Sequence, residues 1–160
     1  MLNTKNSLSP AVRTRMCKLL NQRLADCIDL QTQTKQAHWN VRGPSFIALH
    51  KLFDEINEEV EDYVDEIAER SAQLGGVVQG TARAAAAASS LPEYPQGMVS
   101  GADHVRALST VLAAFGKLSR EAIAEADKAD DPATADMFTQ ITRGIDKWLW
   151  FVEAHLQAEA

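Results

Sequence analysis

The segment Ser45–Arg70, SFIALHKLFDEINEEVEDYVDEIAER, organises this chain. It contains neither proline nor glycine, and its apolar residues recur at alternating intervals of three and four, which is typical of one long amphipathic helix. The members of this apolar stripe are Phe46, Leu49, Phe53, Ile56, Val60, Tyr63, Val64 and Ile67. We therefore expect the other helices to pack against this one face.

Residues that can bind a metal also recur in this segment at intervals of four. They form the pairs His50 with Asp54 and Asp65 with Glu69. At about 100° per residue, all four lie on one flank of the helix, within an arc of roughly 100°. Asp54 and Asp65 are nevertheless roughly 16 Å apart along the axis. Hence the two pairs cannot hold one metal within a single chain.

The numbering of these residues suggests how the pairs could meet. His50 and Glu69 share the midpoint 59.5, and so do Asp54 and Asp65. A twofold axis at this point would face each pair toward the complementary pair of a second, antiparallel helix, as in self-complementary dimers. The hypothesis is a metal site shared between subunits, with two sites per dimer. The alternative is a solvated acidic face with a chance palindrome, and the spacing does not decide between them.

Length and charge restrict the possible classes of protein. The chain has 160 residues and a net charge of −6, which predicts one soluble acidic domain that is not a general nucleic-acid binder. No apolar run approaches the roughly 20 residues of a membrane span, and the N-terminus lacks an apolar signal core. These features favour a cytoplasmic location, with nucleoid association as a further expectation if the chain binds DNA.

The two cysteines, Cys17 and Cys27, are ten residues apart on one predicted helix. The rise between them is roughly 15 Å, which is too long for a disulfide bond. We expect two reduced, buried thiols, and the alternative is a metal or redox role.

The first helix is predicted from its cap. Ser9 is expected to cap it, and Pro10 fits the first helical position. The helical stripe continues to about Trp39, and the break at Val41–Pro44 ends it. Ser45 is then available to cap the long second helix.

A long connection follows the second helix, which is expected to end near Gly75. Residues 76–99 contain the alanine-rich segment Thr81–Ala88, for which we predict a short helix. So long a connection predicts a crossover, with the helices on either side parallel rather than forming a hairpin.

Two more long helices complete the chain. The third is predicted over Gly101–Ala129, and the fourth begins with Asp131 as its cap and Pro132 at its first position and continues to near Leu156. Four long helices with one long crossover predict an all-α, ferritin-like bundle. The expected divisions are a tail at 1–9, the domain at 10–156 and a C-terminal end at 157–160.

Several motifs together resemble one family. They are Lys35-Gln36-Ala37-His38-Trp39-Asn40-Val41-Arg42-Gly43, His50-x3-Asp54, Asp65-x3-Glu69-Arg70, Gln73-Leu74-Gly75-Gly76 and Asp146-Lys147-Trp148-Leu149-Trp150-Phe151. Over roughly residues 12–156 the chain resembles the Dps proteins, the DNA-protection branch of the ferritin superfamily. The resemblance implies a hollow dodecamer of tetrahedral symmetry. Such a shell would oxidise Fe(II), preferentially with hydrogen peroxide, and store the ferric mineral inside.

The resemblance also implies the ligands of a two-iron ferroxidase centre at a dimer interface. His38, His50 and Asp54 would come from one chain, and Asp65 and Glu69 from its twofold mate. Of these, Asp65 and Glu69 would be the firmest ligands of the first iron, which His38 completes. Zn²⁺ suits the same ligands and would compete without turning over.

Further roles are implied beside the five ligands. Trp39 would intercept stray oxidising equivalents, or pack at the helix end, or do both, whereas Trp148 and Trp150 are expected to pack in the core or at an interface. Four acids surround the last turn, in a region that approaches a threefold axis in the family. They would line a pore for iron, or else form a capping surface: Asp127, Asp130, Asp131 and Asp136.

DNA binding is expected to be weak. Affinity for DNA comes largely from Lys and Arg, and the N-terminal tail offers only Lys5 before the first helix. Twelve copies would carry a charge of −72, which repels a polyanion. The leading reading is therefore a ferroxidase and iron store. The alternatives are a DNA-compacting structural protein with secondary iron activity and a helical module that binds zinc or another metal without turnover.

Overall fold

Five helices make up the regular structure of residues 1–157, the part of the chain that the computed structural model describes. Within that part the only β pairing is one isolated bridge, between Arg42 and Ser100. The helices are α1 (Pro10–Asn40), α2 (Phe46–Gln73), α3 (Ala82–Ala88), α4 (Gly101–Lys128) and α5 (Pro132–Glu153).

Side-chain caps fix where three of these helices begin. The Ser9 hydroxyl accepts from the N–H of Val12 in α1, and Asp131 accepts from Thr134 in α5. Both caps precede a proline at the first helical position, so these two predictions are confirmed. In α3 the cap is Thr81. Ser45 stands before α2, but its side chain makes no capping hydrogen bond, so the expectation that it caps this helix is wrong.

The ends of α2 and α4 show that these two helices are parallel. The Arg42–Ser100 bridge joins the residues that precede them. At the far end, Arg70 of α2 donates to Asp131, three residues beyond the end of α4, at 2.8 Å. Helices that begin together and end together run in the same direction, and the 27-residue connection between them crosses the length of the bundle. The predicted ferritin-like fold is confirmed.

The core is the apolar interior shared by the four long helices. Its largest fully buried side chains include Phe53 of α2, Phe115 of α4 and Phe138 of α5. Cys17 and Cys27 are both free and buried, as expected from their spacing.

The last helix is shorter than expected. It ends at Glu153 rather than near Leu156, because the backbone N–H of His155 bonds to the oxygen of Val152, three residues back, and residues 154–156 form a turn. Of the expected C-terminal end, residues 158–160 lie outside the described part. No helix of residues 1–157 is long and apolar enough to cross a membrane.

Candidate metal centre

Two histidines meet where α1 ends and α2 begins. The rings of His38 and His50 stack with their centroids 3.8 Å apart. Nδ1 of His38 lies 2.8 Å from the backbone oxygen of His50, and Nδ1 of His50 lies 3.0 Å from the backbone oxygen of His38. A carbonyl can only accept, so Nδ1 carries the hydrogen in both rings. Nε2 is the ring nitrogen left without these hydrogen bonds, and histidines that bind metals commonly donate from one ring nitrogen in this way.

Asp54 lies beside this histidine pair. Its Oδ1 is 3.7 Å from Nδ1 of His38, and it also forms an ion pair with the ammonium group of Lys35. The hydrogen bond from Lys35, aided by the nearby imidazoles, holds the pKa of the Asp54 carboxyl below its usual value. Asp54 therefore presents a carboxylate, which is the form that binds a cation.

Lys35 received no role from sequence reasoning beyond its place in a motif. A signal was available, because Lys35 precedes His38 by three residues and so lies on the same face of α1. Its ammonium group contacts Oδ1 of Asp54. A cation that binds Asp54 through this oxygen must displace Lys35.

The other two predicted ligands lie elsewhere on α2. Asp65 and Glu69 are exposed, and neither forms a hydrogen bond or ion pair with another of residues 1–157. At 1.5 Å per residue, Asp65 is roughly 16 Å along the helix from Asp54. Within one chain, the fold thus brings together His38, His50 and Asp54 but not Asp65 and Glu69. Among residues 1–157, no three His, Cys, Asp or Glu side chains are gathered for a metal ion.

The donor set is suitable for ferrous iron. The five side chains together offer two imidazoles and three carboxylates, and Fe(II) accepts both kinds of ligand. The unpaired state of Asp65 and Glu69 in the single chain leaves both free to bind an ion. His38, His50 and Asp54 lie side by side where α1 ends and α2 begins, and Asp65 and Glu69 are exposed farther along α2.

Comparison with known proteins identifies the family. The ferritin-like domain model matches residues 17–159. A DNA protection during starvation protein of Agrobacterium fabrum is 42% identical over 157 residues, which cover 98% of this chain and 97% of that protein. This chain belongs to the Dps family.

Solved Dps structures share the whole fold. DpsA14 from Streptomyces coelicolor superposes with a TM-score of 0.92 at 37% identity, covering 98% of this chain and 92% of its own. A tetragonal form of Mycobacterium smegmatis Dps gives a TM-score of 0.93 at 31% identity, covering 98% and 95%. The resemblance to Dps proteins drawn from the motifs is confirmed.

The acids of the last turn have different surroundings in this Dps-family chain. Asp127, Asp130 and Asp136 are exposed. Asp131 is buried, caps α5, and accepts from Arg70 at 2.8 Å. The structure therefore supports the capping role for Asp131, whose carboxylate is already engaged, and leaves the other three acids on the surface.

The three tryptophans of this Dps-family chain also differ in exposure. Trp39 is 62% exposed beside the buried His38. Trp148 is buried, as expected for a core residue, whereas Trp150 is 63% exposed and Phe151 packs against its ring. Trp150 is therefore not a core residue of the single chain.

Proposed function

We propose that this chain assembles into a hollow dodecamer that oxidises Fe(II), preferentially with hydrogen peroxide, and stores the ferric product. The observation that carries the proposal is the division of the ligands. We take His38, His50 and Asp54, which lie together within the chain, as one proposed half centre, and the exposed Asp65 and Glu69 of α2 as the other.

A twofold dimer would complete both half centres at once. His50 and Glu69, like Asp54 and Asp65, are symmetric about position 59.5 of α2. An antiparallel mate places Asp65 and Glu69 of one subunit opposite His50 and Asp54 of the other. Membership of the Dps family supports this arrangement, because relatives share the sequence and fold along nearly the whole chain.

The chemistry proposed for the shared centre is a two-electron reduction of peroxide. Two ferrous ions supply one electron each, the O–O bond breaks, and two protons complete two molecules of water. Both electrons arrive in one encounter, so no hydroxyl radical is released. Asp65 and Glu69 bind the first ion with His38, and His50 and Asp54 bind the second more weakly because Lys35 competes for Asp54.

Mixed oligomers test whether the centre is shared. One variant carries His38→Ala, His50→Ala and Asp54→Ala, and the other carries Asp65→Ala and Glu69→Ala. Each alone is expected to lose peroxide-driven iron oxidation while the particle still assembles. In shells reassembled from equal amounts of the two, half of the dimers are mixed and each mixed dimer has one intact centre, so about a quarter of the wild-type activity returns.

The control removes two exposed acids from α4, Asp103 and Glu121, by substitution with alanine. This variant has the same change in charge as the Asp65 and Glu69 variant and should oxidise iron at the wild-type rate. Particle mass, measured by analytical ultracentrifugation, reports assembly separately from activity. If mixing restores nothing although both variants co-assemble, the shared centre is excluded.

DNA compaction is the second candidate, favoured by the name that the relatives carry. The basic residues near the start of α1 are largely engaged within the chain. Arg15 pairs with Glu125, Arg13 donates to the backbone oxygens of Leu8 and Leu74, and Arg23 pairs with Asp26. We therefore expect only weak, salt-sensitive DNA binding, which a gel shift that persists at about 150 mM salt would contradict.

Two further points remain predictions. Zinc binding without turnover would show as tight Zn²⁺ uptake by a shell that does not oxidise iron. The cytoplasmic location stays a prediction, and the expected nucleoid association depends on the DNA result.

A further inference from the structure

A tyrosine and a glutamate pair on α2, on a different flank from the predicted metal ligands. The Tyr63 hydroxyl donates a hydrogen bond to Oε1 of Glu59, one helical turn earlier. The other oxygen of Glu59 accepts from the ammonium of Lys147 on α5 at 2.9 Å. Tyr63 is only 4% exposed, whereas the side chain of Glu59 is 31% exposed. A buried phenol is thus held against a carboxylate that reaches solvent.

Helix α5 leaves room for this pair at Gly144. A Cβ added there would lie 1.8 Å from the Tyr63 hydroxyl oxygen and 2.6 Å from Oε1 of Glu59. Glycine inside a helix costs roughly 0.5–1 kcal/mol relative to alanine. Gly144 therefore lowers the helix propensity of α5 but leaves space for the Tyr63 hydroxyl and Oε1 of Glu59.

A line of aromatic rings leads from the surface toward the same carboxylate. Trp150 is 63% exposed and its ring centroid lies 4.9 Å from that of Phe151, which lies 5.6 Å from that of the buried Trp148. The ammonium of Lys147 lies 2.9 Å from Oε2 of Glu59 and 3.9 Å from the ring centroid of Trp148, so it contacts both side chains. Glu59 is thus joined to Trp148 through Lys147.

The positive charge of Lys147 favours a radical on Tyr63 over a radical on Trp148. The ammonium of Lys147 lies 3.9 Å from the ring centroid of Trp148, and this charge opposes formation of a tryptophan cation radical. At Tyr63, loss of an electron can be coupled to loss of the phenolic proton, because Glu59 is already in place to accept it.

The only other tyrosine provides a comparison. Tyr94 also has a base beside it, since its hydroxyl lies 2.7 Å from Nδ1 of His104. His104 is buried, and burial lowers its pKa, so the base beside Tyr94 is a neutral imidazole, whereas the base beside Tyr63 is a carboxylate. No ring other than His104 packs against Tyr94 among residues 1–157. Both tyrosines are buried and each has its own base, but the two bases differ in charge. Only Tyr63 lies near the line of aromatic rings that starts at Trp150.

We propose that Tyr63 and Glu59 form a one-electron redox site that receives oxidising equivalents from the exposed Trp150 and holds them as a tyrosyl radical. A hydroxyl radical takes an electron from Trp150 and becomes hydroxide. The electron deficit passes through Trp148 to Tyr63, which gives up one electron to refill it. At the same time the phenolic O–H bond breaks and the proton forms a bond to Oε1 of Glu59, leaving a neutral phenoxyl radical.

The inference rests on the proposed function for the source of the hydroxyl radical, which forms when a single ferrous ion meets peroxide. The experiment therefore starts without iron. The assembled full-length protein is oxidised by photogenerated Ru(III) tris-bipyridine, with persulfate as the final acceptor, and radicals are followed by EPR. Wild type and Tyr94→Phe should both give the phenoxyl signal, and Tyr63→Phe should reduce it to background.

The proton acceptor is tested with Glu59→Gln, which keeps the shape of the side chain. Radical formation at Tyr63 should slow by about 100-fold, the lower end of what a positioned base contributes. If that variant does not fold, the wild type in D₂O provides the same test, since coupled proton transfer slows the reaction there. A signal that survives Tyr63→Phe, or a rate that changes neither with Glu59→Gln nor in D₂O, overturns the proposal.

A second measurement uses Fe(II) and peroxide in place of the ruthenium complex. With the ferroxidase centre disabled by Asp65→Ala and Glu69→Ala, more one-electron oxidant forms and the Tyr63 signal should increase several-fold. If the ruthenium complex oxidises Tyr63 but wild-type protein fails to oxidise iron, the proposed function is wrong and the redox site stands. If iron is oxidised but no Tyr63 radical appears in either measurement, the redox site is wrong and the proposed function stands.

Discussion

His38 and His50 each hold the other in the tautomer that carries hydrogen on Nδ1. Each ring nitrogen Nδ1 donates to the backbone oxygen of the partner histidine, so the two orientations are set together rather than independently. This reciprocity also joins the end of α1 to the start of α2. Removing either ring loses one of these two hydrogen bonds, and we expect such variants to lose stability as well as iron binding.

Lys35→Gln should strengthen binding of the second iron. The Lys35 ammonium occupies Asp54, and an exposed ion pair of this kind contributes about 0.2–1 kcal/mol. A cation that no longer has to displace it should bind about 1.4- to 5-fold more tightly. Anaerobic titration with Fe(II), or with Zn²⁺ as a redox-silent probe, measures the change.

The same substitution has a consequence for pH. Lys35 is the main cause of the lowered pKa of Asp54, so in Lys35→Gln that pKa rises toward its usual value. Asp54 is then protonated at a higher pH than in the wild type, and the gain in affinity should shrink as the pH falls. Equal affinity of the two proteins at neutral pH would show that Lys35 does not compete with the cation.

Gly144→Ala should destabilise the bundle although alanine is the better helix former. The added Cβ would lie 1.8 Å from the Tyr63 hydroxyl oxygen, and overpacking of this kind costs about 1–3 kcal/mol. Tyr63→Phe removes that oxygen, so the double variant should recover part of the loss. Thermal unfolding of the four proteins forms a double-mutant cycle, and additive effects would contradict the contact.

At the scale of the helices, one buried acid joins two elements. The Asp131 carboxylate caps α5 at the N–H of Thr134 and accepts from Arg70 at the end of α2. Thr134 binds both partners through its hydroxyl, which accepts from Arg70 at 2.9 Å and donates to Asp131 at 2.5 Å. The helix that carries Asp65 and Glu69 is therefore anchored to the turn between α4 and α5.

Asp131→Ala should cost about 2–4 kcal/mol. The lost cap accounts for about 0.5–2 kcal/mol, and Arg70, whose side chain is 15% exposed, is left without its counter-charge. Asp136→Ala is the matched control, because this exposed acid lies on the same helix and its loss should change stability by less than about 0.5 kcal/mol. Urea unfolding measures both, and equal effects of the two substitutions would exclude the buried network.

The beginnings of helices were easier to predict than their ends. Ser9-Pro10 and Asp131-Pro132 each combine a capping side chain with a proline at the first helical position, and both work as the sequence indicates. Glu153 carries no comparable signal, so the predicted end of α5 was three residues too late. Ser45 has the right residue type, but local geometry leaves its hydroxyl unused, which no pattern of residue types reveals.

For the particle, the proposed metal centre would need residues of two chains. Periodicity and spacing predicted the helices of the bundle and the common flank of the four candidate ligands on α2, because such patterns are set within a single helix. The pairing of Lys35 with Asp54 and the accommodation of Tyr63 at Gly144 depend on contacts between helices, which spacing alone does not give. A metal centre that includes Asp65 and Glu69 would need ligands from a second copy of the chain, so it stays a prediction.

The exposed acids of the last turn carry a prediction for the assembled particle. Asp127 and Asp136 are both exposed, and three copies of each around a threefold axis would focus cations toward a pore. Asp127→Asn with Asp136→Asn should slow Fe(II) oxidation by about tenfold at low ionic strength, with a smaller effect in high salt, where the field is screened.

Asp103→Asn with Glu121→Gln removes the same charge from α4 and should leave the rate unchanged. Stopped-flow absorbance gives the rates, and bound Zn²⁺ per subunit confirms that the centres are intact. Equal rates for both double variants at low salt would leave Asp127 and Asp136 as ordinary surface around the Asp131 cap.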